Sequence, residues 1–105
     1  MRDSYAGNIL EIDLTDRKVV VMPTEESLKR EYLGGCGFGA RLLYERMPAG
    51  AGALSPENVV VLSTGPATGT IVPSGAMTVC TTKSPLTGAI IRSVMGGVWG
   101  AELKQ

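Results

Sequence analysis

Fourteen glycines and six prolines cut these 105 residues into short pieces, and that punctuation limits the fold more than any other feature. Between one breaker and the next lie segments suited to short strands and to helices of two or three turns. With one Phe, one Trp and three Tyr, the core has to be built mostly from aliphatic side chains. A single domain of this length is expected to bury roughly two-thirds of the surface that its unfolded chain exposes.

Read in order, the pieces give hairpins and helices. Ile9 to Leu14 alternates, Thr15-Asp16 supplies turn chemistry, and Lys18 to Met22 returns as a second strand. Pro23-Thr24 stops it, with Thr24 as the expected N-cap of a helix whose first turn holds Glu25 and Glu26. Leu28, Tyr32 and Leu33 form its apolar face, and Gly34-Gly35 is expected to end it. A second helix reads from about Gly39 to Met47, with Ala40, Leu43 and Met47 inward and Arg41, Glu45 and Arg46 toward water. Pro48 and the small residues 49–53 make a loop, expected to be mobile.

Asn58 to Ser63 is dense in β-branched residues, the pattern of a strand covered on both faces. Ala76 to Thr82 and Ala89 to Ser93 read as a pair joined by the turn Ser84-Pro85-Leu86-Thr87-Gly88. A short helix, Val98 to Leu103, closes the chain. Five strands in hairpins and three short helices argue an α+β fold with a mostly antiparallel sheet.

The balance of residues excludes much. Ten basic and ten acidic residues are scattered singly, so the basic stripe of a nucleic-acid binder is missing. No apolar run reaches the length of a membrane span, and Met1 to Tyr5 carries no signal-like segment, so a cytoplasmic location is the default expectation. Without histidine there is no imidazole base, no Ser-His-Asp arrangement and no His metal site. Cys36 and Cys80 read as two reduced thiols that pack as small apolar groups; their spacing leaves a disulfide open. Two isolated cysteines cannot ligate an iron–sulfur cluster within one chain.

Two stretches could carry chemistry. Gly34-Gly35-Cys36-Gly37-Phe38-Gly39 precedes a helix, where backbone N–H groups can approach a phosphate. It follows a helix rather than a strand, however, and a corner where two backbones pack closely accounts for it equally well. The run from Gly65 to Gly100 holds three Gly-rich turns, and pairing of the intervening strands would gather alternate turns at one end of a sheet. Such turns offer free N–H donors and little bulk to a large polar ligand; they also serve as ordinary hairpin turns.

Four ordered motifs carry a resemblance: Leu54-Ser55-Pro56-Glu57-Asn58, Thr64 to Thr70 (TGPATGT), Thr82 to Gly88 (TKSPLTG), and Gly96 to Lys104 (GGVWGAELK). With Tyr32-Leu33-Gly34-Gly35 and the opening Gly7 to Thr15, the chain from about Tyr5 to Lys104 resembles the tungsten-containing aldehyde:ferredoxin oxidoreductases. In that family the amino-terminal domain is a base of two β-sheets, related by an approximate two-fold, on which a tungsten bis-pyranopterin sits. Later domains supply the cysteines of an iron–sulfur cluster and the substrate pocket. The reaction takes an aldehyde and water to a carboxylic acid and passes electrons through the cluster to ferredoxin.

The resemblance implies that this chain is about the first half of that base domain, ending where the family continues into another strand. It implies a tungsten (or molybdenum) pyranopterin near Ser74, Gly75, Ala76, Met77, Arg92, Val94, Gly96 and Gly97, with no cluster in this chain. Three positions depart from the family pattern. Met77 stands where Arg is common, Val94 where Asn is common, and Cys36 where many members have Arg. Arg92 and Lys83 are the cations left nearby. Loss of bidentate Arg contacts weakens a grip on phosphate.

Three functions follow from these features. The first is a cofactor-binding module, inactive alone, that works with a larger cluster-bearing chain. The second is a non-catalytic domain that associates with itself, expected as a dimer because half of a pseudo-symmetric domain exposes the face its other half would cover. The third is a nucleotide-binding module built on Gly34 to Gly39.

Overall fold

The computed structural model describes residues 4–105; Met1-Arg2-Asp3, part of the stretch read above for a signal segment, lies outside the described residues. Strands β1 (Asn8–Asp13) and β2 (Lys18–Pro23) form the expected hairpin, with Ile9 opposite Met22 and Asp13 opposite Lys18. Its turn is fixed by Asp13, whose Oδ1 accepts hydrogen bonds from the N–H groups of Thr15 (2.9 Å) and Asp16 (3.0 Å). Those bonds, Asp16's first and then Thr15's, hold the Asp13 carboxyl below its ordinary range.

Two helices follow, α1 (Glu26–Tyr32) and α2 (Cys36–Arg46). Thr24 does not cap α1: Glu25 occupies the cap position, and the Thr24 N–H is instead bonded to Gly7 O at 2.8 Å, closing the hairpin. The reversal after α1 is made one residue earlier than Gly34, by Leu33 at φ 62°. Helix α2 begins three residues before its expected start, and its buried residues are Phe38, Gly39 and Leu43. Arg41 and Glu45, one turn apart, pair along its outer face.

Strands β3 (Val61–Thr64), β4 (Thr78–Lys83) and β5 (Ile90–Met95) make a second antiparallel sheet in that order. Helix α3 (Trp99–Lys104) completes an α+β fold of two antiparallel sheets and three helices. Helix α2 lies across β3 and β4, with Gly39 directly over Thr81. A Cβ at Gly39 would overlap Thr81 Oγ1, so the close seat of helix on sheet requires glycine there. The loop at residues 49–53, expected to be mobile, is anchored: Ala51 is buried and its carbonyl accepts from Lys83 Nζ at 2.6 Å.

The run Asn58 to Ser63 is not a strand covered on both faces. Only its end joins β3, and Val60 and Leu62, which share a face, are exposed because nothing covers that face; β3 is in addition an edge strand. The covered strand is β4, flanked on both sides, where Thr78, Val79 and Thr81 are buried. Among the described residues, buried apolar side chains are few: Phe38, Leu43, Ala51 and Val79.

The surface reflects this thin core. The accessible area is 7479 Å². A folded monomer of this mass exposes about 5,600 Å² and its unfolded chain about 16,000 Å². The chain therefore buries about half of its unfolded surface rather than the expected two-thirds.

Candidate functional site

The register of the three-stranded sheet decides which loops meet. Thr64 is opposite Thr78, and Thr78 is opposite Met95, so the segment 65–77 and the pair Gly96-Gly97 leave the sheet at the same end. The Ser84–Gly88 turn lies at the other end, where Gly88 N–H closes on Ser84 O at 2.9 Å. Alternate turns thus gather at one end, as their spacing suggested.

A third glycine segment arrives there from the helices. The Gly35 N–H donates to Thr64 O at 3.0 Å, and Ser63 Oγ donates to Gly35 O at 2.7 Å. Gly34, at φ 145°, lies so close to Thr64 O, Gly65 and Pro66 that a Cβ would stand 3.1–3.2 Å from each. The Gly34–Gly39 stretch is therefore a packing corner, with the Gly35 and Gly37 amides used within the protein. That arrangement accounts for its glycines without a nucleotide.

Ser74, Gly75, Ala76 and Met77 enter β4 across from this corner. Ser74 has φ 62°, and Gly75 backs onto Ala67, whose carbonyl oxygen would stand 2.6 Å from an added Cβ. Met77 is exposed through its side chain, while its carbonyl accepts from Thr68 Oγ1 at 3.1 Å. Gly96 and Gly97 are open: a Cβ on either would meet nothing within 4 Å. Of the eight residues expected to face a cofactor, Ser74 to Met77, Gly96 and Gly97 lie at this one sheet end, while Val94 and Arg92 are set back from it along β5.

Val94 belongs to β5 rather than to a turn, opposite Val79, because the strand runs two residues further than expected. Arg92 lies two residues before Val94 on the α2 side of β5, opposite Thr81. Its Nη1 is 3.9 Å from Cys36 Sγ at the start of α2. Two of the three departures from the family pattern, Cys36 and Val94, therefore flank Arg92. Lys83 is engaged at the far end of β4 with Ala51 O and does not belong to this neighbourhood.

The residue that sequence reasoning passed over is Lys104. Its ammonium donates to three carbonyls of one turn, Gly65 O (3.1 Å), Pro66 O (3.0 Å) and Thr68 O (2.8 Å). It ties α3 to the loop that shapes the site. Its place at the end of the ordered motif GAELK was the available signal; its partners, far off in sequence, gave none.

Cys36 and Cys80 are both free thiols. Among the described residues no group of three or more His, Cys, Asp or Glu could hold a metal ion, and no helix is long and apolar enough to cross a membrane.

Comparison with known proteins agrees with this geometry. Residues 9–105 match the family described as aldehyde ferredoxin oxidoreductase, N-terminal domain. Over 100 residues the chain is 42% identical to a tungsten-containing aldehyde ferredoxin oxidoreductase of Pyrococcus abyssi, covering 95% of this chain and 16% of that protein. It is 32% identical to the WOR-like subunit of an aliphatic sulfonate oxidoreductase of Pyrococcus furiosus. The fold superposes on the active site complex BamBC of benzoyl coenzyme A reductase with a TM-score of 0.93 at 36% identity, covering 99% of this chain and 16% of that one. The chain thus spans about a sixth of these relatives (16% of each). Motifs, fold and identity together make it a member of the aldehyde ferredoxin oxidoreductase family, corresponding to that family's N-terminal domain.

Proposed function

We propose that this chain is the pyranopterin-binding module of an aldehyde ferredoxin oxidoreductase-like protein, inactive alone. The observation that carries the reading is the shared sheet end. The register Thr64–Thr78–Met95 brings the openings at Gly96 and Gly97 beside the strand entry Ser74–Met77. Open main chain, with the Arg92 guanidinium set back along β5, fits a large polar ligand held chiefly by backbone groups. Cys36, Met77 and Val94 add no charge to that grip. When bound, a tungsten or molybdenum pterin supplies the redox chemistry, and the protein's part is to seat and orient it. Oxidation of an aldehyde, and electron delivery to ferredoxin through a cluster, would then belong to the assembly with a larger chain.

The test is the metal and pterin content of protein purified from a tungstate-replete host. Elemental analysis and pterin fluorescence should find tungsten or molybdenum together with pterin, and Arg92→Ala should lower both. Metal-free, pterin-free protein from that host would overturn the proposal.

A second reading, self-association without a cofactor, is favoured by one observation. Leu10, Ile12, Val19 and Val21 share a face of the hairpin and are 54–62% exposed. Sedimentation showing a dimer lacking metal and pterin would support it; a stable monomer would sink it.

A further inference from the structure

Strand β5 has one edge on β4 and the other free, since the sheet order is β3-β4-β5. It carries few of the usual guards of an exposed edge. It is 6 residues long, pairs with β4 residue for residue without a bulge, holds no proline and has a single charge, Arg92. All its side chains are exposed, with Ile90, Ile91, Val94 and Met95 open by 40–52%.

The turn before the strand shows which of its backbone groups are free. The Ser84 N–H donates to Ala89 O at 2.8 Å, so the Ala89 carbonyl points toward β4. In an antiparallel ladder that direction alternates along the strand. Ile91, Ser93 and Met95 therefore bond to β4, and the N–H and C=O groups of Ile90, Arg92 and Val94 face the open edge.

We propose that this edge pairs antiparallel with the β5 edge of a second copy about a two-fold axis, joining two three-stranded sheets into one. Geometry fixes the register. Only outward-facing residues can exchange hydrogen bonds, so even-numbered residues pair with even-numbered ones and one residue must face its own copy across the axis. With Arg92 on the axis, two like charges stand directly opposite, which destabilises the pairing. With Ile91 there the overlap shrinks to residues 90–92, and with Val94 to 93–95; with Ser93 it is 91–95. Arg92 then faces the partner's Val94, Ile91 faces the partner's Met95, and the small Ser93 meets the partner's Ser93 at the axis. This self-complementarity, with like charges kept apart, is what selects a second copy as the occupant. The interface differs from the hairpin face and does not depend on whether a cofactor is bound.

The test is residue-resolved amide exchange of the 105-residue chain, with sedimentation, from about 10 μM to about 1 mM. A concentration-dependent dimer should slow exchange at Arg92 and Val94 far more than at Ile91, Ser93 and Met95, which are already bonded to β4. Val94→Glu places a carboxylate opposite the partner's Arg92 twice in each dimer and should tighten association by about 2- to 30-fold; Val94→Lys should loosen it by a similar factor. The proposal is overturned by a monomer throughout that range, by a dimer whose Arg92 and Val94 amides exchange as in dilute solution, or by the two variants shifting association in the same direction. The second of these outcomes leaves association through the hairpin face in place, and the cofactor reading is decided separately by metal and pterin content.

Discussion

Replacing Gly39 by alanine sets two effects of opposite sign against each other, and the structure says which prevails. Gly39 lies inside α2, where alanine favours the helix by about 1 kcal/mol over glycine. That effect alone predicts a more stable protein. But the added Cβ would overlap Thr81 Oγ1 and lie 2.6 Å from Thr81 Cβ and 3.2 Å from Thr81 Cγ2. Thr81 is buried on the central strand, so it cannot swing aside into solvent. The helix must lift from the sheet or the strand must bend, and overpacking of this kind costs about 1–3 kcal/mol. Because the contact is to a Cβ fixed by the strand backbone, the upper part of that range applies.

The net expectation for Gly39→Ala is a loss of about 1–2 kcal/mol, and for a domain of this size each kcal/mol lowers Tm by about 4–8 °C. Urea unfolding followed by circular dichroism measures it directly. A double-mutant cycle then tests the cause. Thr81→Ala removes two of the three offending atoms, so the double variant should be more stable than the two single changes predict, by about 1 kcal/mol. A higher urea midpoint for Gly39→Ala, or strict additivity in the cycle, would refute the reasoning.

Other sites give shorter tests. Thr81→Val keeps the side-chain shape and removes a buried hydroxyl that has no hydrogen-bond partner. It should stabilise the protein by about 1 kcal/mol, read from the same urea midpoint. Lys104→Met removes all three bonds to the 65–68 turn; a loss of about 2 kcal/mol is expected, with faster amide exchange at Thr68 and Thr70. Asp13 is held below its usual 3.8 by the N–H groups of Asp16 and Thr15. Its folded value is depressed, so its contribution is present above the unfolded value and lost as pH falls through the folded one. Asp13→Asn should keep the turn but flatten that part of the acid limb in thermal melts taken downward from about pH 4.

Local structure was legible because each element has its own local cause. The hairpin is read from alternation in Ile9 to Leu14 and from the turn residues Thr15-Asp16, and both lie inside the window that decides them. The α1 cap falls one residue later than its chemistry suggests: Glu25 takes the cap position without a side-chain bond, while the Thr24 N–H closes the hairpin on Gly7 O, seventeen residues back. Lys104 was missed on the same ground, since its three carbonyl partners lie 36 to 39 positions away. The clustering of site loops was legible once strands were paired in order, because an antiparallel meander puts alternate turns together. What pairing could not supply was the depth of each residue within the site. β5 runs on through Met95, and so Val94 is a strand residue flanking Arg92 rather than part of an open turn.

The misreading of Asn58 to Ser63 carries the most information. Its β-branched density is the pattern of a strand covered on both faces, yet Val60 and Leu62 are exposed. The same holds in β2, where Val19, Val20 and Val21 run without polar alternation although all three are exposed by 51–62%. Apolar residues on both faces of a strand are the pattern of a strand buried on both faces. The accessible area of 7479 Å² exceeds that of an ordinary monomer of this mass by about 1,900 Å², roughly twice what one partner contributes to a standard protein interface. The pattern and the area point the same way: β2 and β3 have the composition of strands with neighbours on every side.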